Sequence, residues 1–230
     1  MKWAIITFPG TNCDEDTRYV LAEQLGQQAT IIWHGDAGIG DADVVVLPGG
    51  FAHGDYLRCG AIARFSPVMT AVYEHAERGR PVLGICNGMQ VLTEAGLLPG
   101  ALLRNAGLEF RCGWVHVRVQ EADRTFLGET RPGTVLRMPV SHGEGRYHCS
   151  SEEAAALAAN GQVLLRYCDE QGRVDERGNP NGSTGGIAGL RNARGNVFGL
   201  MPHPERAADP LLGGTDGLVV FRSLIEAMHG

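Results

Sequence analysis

Cys86 ends a short apolar run, Val82–Ile85, and heads a helix-compatible segment over 88–95, with Gly84 and Gly88 two residues to either side. The frame predicts a nucleophile elbow with sulfur in place of the usual hydroxyl. A strand that turns straight into a helix strains its corner residue, and only small neighbours fit beside it. The helix start brings amide N–H groups and the positive end of a dipole toward the sulfur, which favours a thiolate. Taken alone, the pattern is also that of a buried structural thiol, one of six cysteines in the chain.

A reactive thiol needs a base. Near the C-terminus a second apolar run leads into Pro202-His203-Pro204-Glu205. In an extended chain, residues two apart share a face, so Glu205 can orient the His203 ring while His203 exchanges protons with Cys86. The alternative is a surface histidine beside an acid in a proline-rich turn. The third requirement is an oxyanion hole. The buried-strand run Val44–Leu47 ends in Pro48-Gly49-Gly50-Phe51. The N–H groups of Gly50 and Asn87 can together stabilise a tetrahedral oxygen. An ordinary glycine turn is the competing reading for Gly50.

The elements that must hold these residues alternate in the first half. Strands are expected over 2–8, 30–33, Val44–Leu47 and Val82–Ile85. Helices are expected over 14–25, with Asp14 as N-cap and Gly26 as stop, over 67–78 and over 88–95. Alternation predicts an α/β fold with a largely parallel sheet and helices on both faces, flavodoxin-like in type. Gly50, Cys86 and His203 each follow a strand, at the carboxyl edge where such sheets bind ligands. In the second half, strands over 114–120, 134–140, 163–167 and 187–190 predict an antiparallel extension, closed by a helix over 217–228. No internal repeat or linker is visible, so 1–230 is read as one domain.

Composition excludes several classes. At 230 residues with 43% hydrophobic and 20% charged residues, the chain suits a globular domain. A net charge of −6 argues against a nucleic-acid surface. No apolar run is long enough for a membrane span, and the N-terminus enters a strand without a signal-peptide pattern, so a cytoplasmic location is expected. The cysteines show no zinc spacing and are expected as free thiols, with no metal. Lys2 is the only lysine. No Walker-type or dinucleotide glycine motif occurs, so no cofactor is expected in this chain.

Gly-Ile-Cys-Asn-Gly-Met-Gln at 84–90, Pro-Gly-Gly-Phe at 48–51 and Pro-His-Pro-Glu at 202–205 resemble the class I, triad-type glutamine amidotransferases. Four more segments resemble one branch of that family, the glutaminase subunits of phosphoribosylformylglycinamidine synthases. They are Phe8–Asp14, Gly50–Tyr56, His142–Arg146 and Asn179–Ser183. The resemblance covers nearly the whole chain; 148–178 is its least distinctive part. It implies hydrolysis of the glutamine side-chain amide through a Cys86 thioester, with His203 and Glu205 completing a triad. It implies a large synthase subunit as partner, with ATP and magnesium on that partner, and leaves open a third small subunit.

Resemblance also suggests that Gln90, one helical turn beyond Cys86, and the loop of Ser141, His142 and Gly143 recognise the amino-acid end of glutamine. A solvent-exposed helix glutamine is the alternative for Gln90. For His142 it is a ring that packs or faces a partner. Arg146 and Tyr147 are candidates for the partner interface, Asp55 and Arg58 for a gating segment, and Cys13 for packing. Rival readings are a glutaminase for another synthase, a cysteine peptidase on the same sheet, and a non-catalytic module.

Overall fold

The computed structural model describes residues 1–55, 58–121 and 123–229, with only the backbone of Cys59. The expectation at Tyr56 and the thiol of Cys59 lie outside the described residues.

In chain order the elements are β1 (Lys2–Thr7), α1 (Asp14–Tyr19), β2 (Gln28–Trp33), β3 (Val44–Leu47), α2 (Cys59–Ala63), α3 (Val68–Glu77), β4 (Val82–Ile85) and α4 (Asn87–Glu94). There follow β5 (Ala101–Leu103), β6 (Arg111–Val119), β7 (Val135–His142), β8 (Arg146–His148), α5 (Ser151–Ala159), β9 (Val163–Cys168), β10 (Ile187–Arg191), β11 (Val197–Leu200) and α6 (Leu218–His229). One nine-stranded sheet has the order β2-β1-β3-β4-β11-β10-β9-β6-β7. Neighbours from β2 to β11 are parallel. From β11 onward each pairing is antiparallel, which is the expected extension. Strands β5 and β8 pair separately.

Strands β3, β4 and β11 are apolar and buried along their whole length, because the centre of a parallel sheet is covered on both sides. They are adjacent in the sheet, so their carboxyl ends converge. Those ends carry Gly50, Cys86 and His203.

The first helix departs from expectation. It begins at Asp14 as expected, but its cap is Cys13 rather than Asp14, the Cys13 carbonyl accepting from Thr17 N at 3.0 Å. Asp14, Glu15 and Asp16 then lie in the first turn, facing the positive end of the dipole. Its second half is a π-helical turn over Val20–Gln24, closed by Leu25 N to Val20 O at 3.1 Å. The wider turn keeps both Val20 and Leu21 in the core, while Gln24 reaches Asp209. Gly26 stops it in a left-handed conformation. Helix α5 falls within the stretch that carried no expectation, although Ser150 and Glu153 form a complete capping box there.

Candidate active site

Cys86 has φ 49° and ψ −103°, a strained conformation for a residue with a side chain. Both flanking glycines are required by contact. A Cβ at Gly84 would lie 2.5 Å from Leu92 Cδ1 and 2.8 Å from the Gly88 carbonyl carbon. A Cβ at Gly88 would overlap the Leu47 carbonyl oxygen, so the helix start is wedged directly against the end of β3. Cys86 N donates to Leu200 O at 2.7 Å, extending the β4–β11 ladder to the corner itself. The Cys86 thiol donates to Ser141 O at 3.7 Å. Asn87 is the first residue of α4, and first-turn amides point out of the end where the sulfur stands.

His203 and Glu205 are both buried, and His203 Nδ1 lies 2.6 Å from Glu205 Oε1. The pairing does not arise from an extended chain. His203 is extended, but Pro204 starts a single 3-10 turn over Pro204–Arg206, and that turn swings the carboxylate back under the ring. A carboxylate can only accept, so Nδ1 carries the proton and Nε2 is left for the nucleophile. Nε2 is buried and makes no hydrogen bond among the described residues. Burial alone would lower the basicity of the ring. The Glu205 carboxylate, helped by the Cys86 and Cys13 sulfurs, more than reverses this and holds His203 well above its ordinary range. The Nδ1–Cε1 edge of the ring abuts the glycine corner: a Cβ at Gly49 would sit 2.6 Å from His203 Cε1 and 3.1 Å from Nδ1.

Gly50 has φ 148° and bridges to Thr11, and a Cβ there would lie 2.7 Å from Asn12 N. Beyond it, His53, Gly54 and Asp55 all have left-handed φ, at 55°, 73° and 51°. Three such residues in succession, two of them with side chains, store backbone strain beside the oxyanion candidates. Burial, and then the Glu144 charge, push the Asp55 carboxyl up to about 6. A cleft of about 390 Å³ opens here between Phe51, Asp55, Arg104, Phe110, Gly143 and Glu144. Phe51 and Phe110 stack at its rim, with ring centroids 6.3 Å apart.

The remaining candidates meet where β7 ends; Ser141 and His142 are paired with β6 as its last residues rather than lying on a loop, and Gly143 alone of the three lies on the loop beyond it. Gln90 is buried, and its amide nitrogen donates to Glu144 O at 2.6 Å while its oxygen accepts from Asn87 Nδ2 at 2.8 Å. Gln90 therefore ties the elbow helix to that loop. His142 is buried, and its Nδ1 donates to Asn105 Oδ1 at 3.2 Å. Burial, with the His203 charge, lowers its imidazole to about 4, so it is neutral near pH 7. Tyr147 is not available to a partner. Pairing of β8 with β5 turns its ring inward, and its hydroxyl donates to Pro99 O at 3.0 Å.

Two buried asparagines organise this loop. Asn105, which sequence reasoning missed, accepts from Gly145 N at 3.1 Å as well as from His142, and donates to His142 O and Glu109 O. No spacing pattern marks it. Asn181, within the singled-out 179–183 segment, donates to Gly145 O at 2.8 Å. Ser183 Oγ accepts from Tyr147 N at 3.1 Å.

Residues 1–213 match the family described as the CobB/CobQ-like glutamine amidotransferase domain. The phosphoribosylformylglycinamidine synthase subunit PurQ of Gloeobacter violaceus is 56% identical, over 99% of this chain and 98% of that one. Its counterpart from Thermomicrobium roseum is 53% identical, over 98% and 96%. Among solved structures, PurLQS from Thermotoga maritima superposes with a TM-score of 0.86 at 39% identity, covering 99% of this chain and 98% of that one. A glutamine amidotransferase from the same organism shares the fold, with a TM-score of 0.63 at 18% identity over 99% and 97%. The chain belongs to the glutamine amidotransferases, within the PurQ family of phosphoribosylformylglycinamidine synthase subunits.

Proposed function

We propose that this chain hydrolyses the side-chain amide of glutamine at Cys86, His203 and Glu205 and delivers ammonia to a synthase subunit. The observation that carries the reading is the strained Cys86 corner on β4, set beside a buried His203–Glu205 pair at the end of the adjacent strand β11. Cys86 attacks the amide carbonyl as a thiolate, its proton passing to His203 Nε2. The N–H groups of Gly50 and Asn87 stabilise the oxyanion, each contributing on the order of 10²–10³ in rate. Collapse breaks the carbon–nitrogen bond, and His203 protonates the departing ammonia. A thioester remains; water, deprotonated by His203, cleaves it to glutamate and the free thiol. Glu205 orients the ring and stabilises the imidazolium without taking its proton.

Ser141 and His142, the last residues of β7 rather than a loop, hold Gly143 at the side of the cleft, braced by Gln90 through Glu144, and the amino-acid end of glutamine rests against this edge. The reaction served is amidation of formylglycinamide ribonucleotide to the amidine in purine biosynthesis. ATP and magnesium act on the large partner subunit, since this chain carries no phosphate-binding glycine motif. The continuous sheet from β2 to β7 supports a single domain over 1–230. Among the described residues no helix is long and apolar enough to cross a membrane, and a cytoplasmic setting fits a purine-pathway enzyme.

The test uses the assembled synthase. Cys86→Ala should abolish glutamine-dependent synthesis and leave ammonium-dependent synthesis intact. Loss of both, or of neither, would contradict the assignment.

A further inference from the structure

Cys13 lies 190 residues from His203 in sequence and beside it in space. It caps α1 in the segment after β1, its N–H donates to Gly49 O at 3.2 Å, and it is buried. Its sulfur stands 3.8 Å from His203 Nδ1, the nitrogen that donates to Glu205. The thiol donates to Asn12 Oδ1 at 3.3 Å. Sγ, Nδ1 and a Glu205 carboxylate oxygen all lie within 4.8 Å of one another. On the same edge of the ring, a Cβ at Gly49 would lie 3.2 Å from the sulfur and 2.6 Å from His203 Cε1. Gly49 and Cys13 therefore close the Nδ1–Cε1 edge of the imidazole together.

We propose that Cys13 is a positioning residue for the triad: a buried, weakly polar cap on the Nδ1 edge of His203 that keeps water off the Nδ1–Glu205 hydrogen bond, its sulfur a weak second acceptor 3.8 Å from Nδ1. The inference rests on the proposed roles of His203 and Glu205. Among the described residues Glu205 Oε2 is buried with no hydrogen-bond partner, so the imidazole is the one hydrogen-bonded partner of the carboxylate, with the Arg206 charge close enough to act on both Glu205 and Cys13. A strong donor at the Cys13 position would take part of that charge and weaken the base. Sulfur fills the space, and a thiol is a poor donor whose hydrogen is already directed to Asn12. Burial, and then the Glu205 charge, push the Cys13 thiol up, so it stays neutral and adds no second anion. Alanine would leave a void beside an unsatisfied carboxylate oxygen, a place that draws in water. Serine, nearly the size of alanine, would place a hydroxyl there instead.

The experiment measures the pH dependence of glutamine hydrolysis in the assembled synthase for the native chain, Cys13→Ser and Cys13→Ala. Loss of the imidazolium proton sets the alkaline limb of kcat. Serine's smaller hydroxyl leaves room for a water on the Nδ1 edge, and a donor brought to Glu205 in this way should move that limb down by about half to one pH unit, the equivalent of one net hydrogen bond. KM for glutamine should stay within about twofold, because Cys13 does not touch substrate. Cys13→Ala should shift the limb in the same direction through an admitted water, so either variant suffices if the other fails to assemble. A limb that stays at its native position in an assembled variant would overturn the proposal and leave Cys13 as packing. A change confined to KM would overturn it as well. If the native complex itself showed no glutamine-dependent activity, the proposed function would fail before Cys13 was tested.

Discussion

Gly88→Ala is the most informative single perturbation of the elbow. The added Cβ would overlap the Leu47 carbonyl oxygen and come within 2.6 Å of its carbon and 2.8 Å of Leu47 Cβ. None of these atoms can swing away, because Leu47 is the last residue of a central strand paired on both sides. The start of α4 must therefore move from β3 by roughly an ångström, carrying Cys86 and Asn87 away from the Gly49–Gly50 corner. A displacement of that size at a reacting centre costs about 10² in rate, before any loss of oxyanion contacts. Overpacking of this kind destabilises by about 1–3 kcal/mol, which in a chain this long lowers Tm by about 2–12 °C. Gly38→Ala is the control, since a Cβ at Gly38 would meet nothing within 4 Å among the described residues and its backbone is ordinary. Glutamine-dependent turnover in the assembled synthase and thermal melting of the chain provide the two readouts. If Gly88→Ala kept near-native turnover and Tm, the wedge between α4 and β3 would not be what sets the nucleophile.

Other predictions concern the base, a neighbouring histidine and the partner. His203→Ala should reduce glutamine-dependent kcat more than Glu205→Gln, because the carboxylate orients the ring without carrying the proton; equal or larger loss at Glu205 would count against these roles. His142 is neutral when folded, with its imidazole lowered to about 4 from 6.5, so the unfolded chain binds its proton first as pH falls. Its contribution, up to about 3 kcal/mol, is present above pH 6.5 and lost progressively between about 6.5 and 4. Denaturant melts of His142→Gln should accordingly show a shallower loss of stability across that window than the native chain. Hydrolysis should also be coupled to the use of its ammonia. The isolated chain should be a poor glutaminase that the synthase subunit activates by settling the strained stretch from His53 to Asp55; full activity in the isolated chain would refute the coupling.

Much of this arrangement could be read from the chain because the chemistry sits where local pattern is strong. Strands β3 and β4 begin and end where expected, since each is an apolar run with proline at one end, Pro48 after β3 and Pro81 before β4. The Gly84-x-Cys86-x-Gly88 frame was legible because each glycine answers a local contact at the corner. His203 and Glu205 were paired correctly on an incomplete argument: proximity comes from the 3-10 turn rather than from extended backbone. Long-range placement was not legible. Cys13 reads as a packing residue until β1 and β11 bring its segment against His203. Asn105 is one polar residue in a loop, and its importance lies in bonds to residues 37 and 40 positions away. Helix α5 buries only Leu157, so its apolar stripe is too faint to see, although its capping box was present in the sequence.

The central claim is that Cys86, and no other cysteine, is the nucleophile. A glutamine-derived electrophile, applied to the assembled synthase and followed by peptide mass analysis, tests it directly. The account predicts stoichiometric modification of Cys86, protection by glutamine, and loss of glutamine-dependent but not ammonium-dependent synthesis. Modification at Cys13 or Cys59 with Cys86 left free would contradict it.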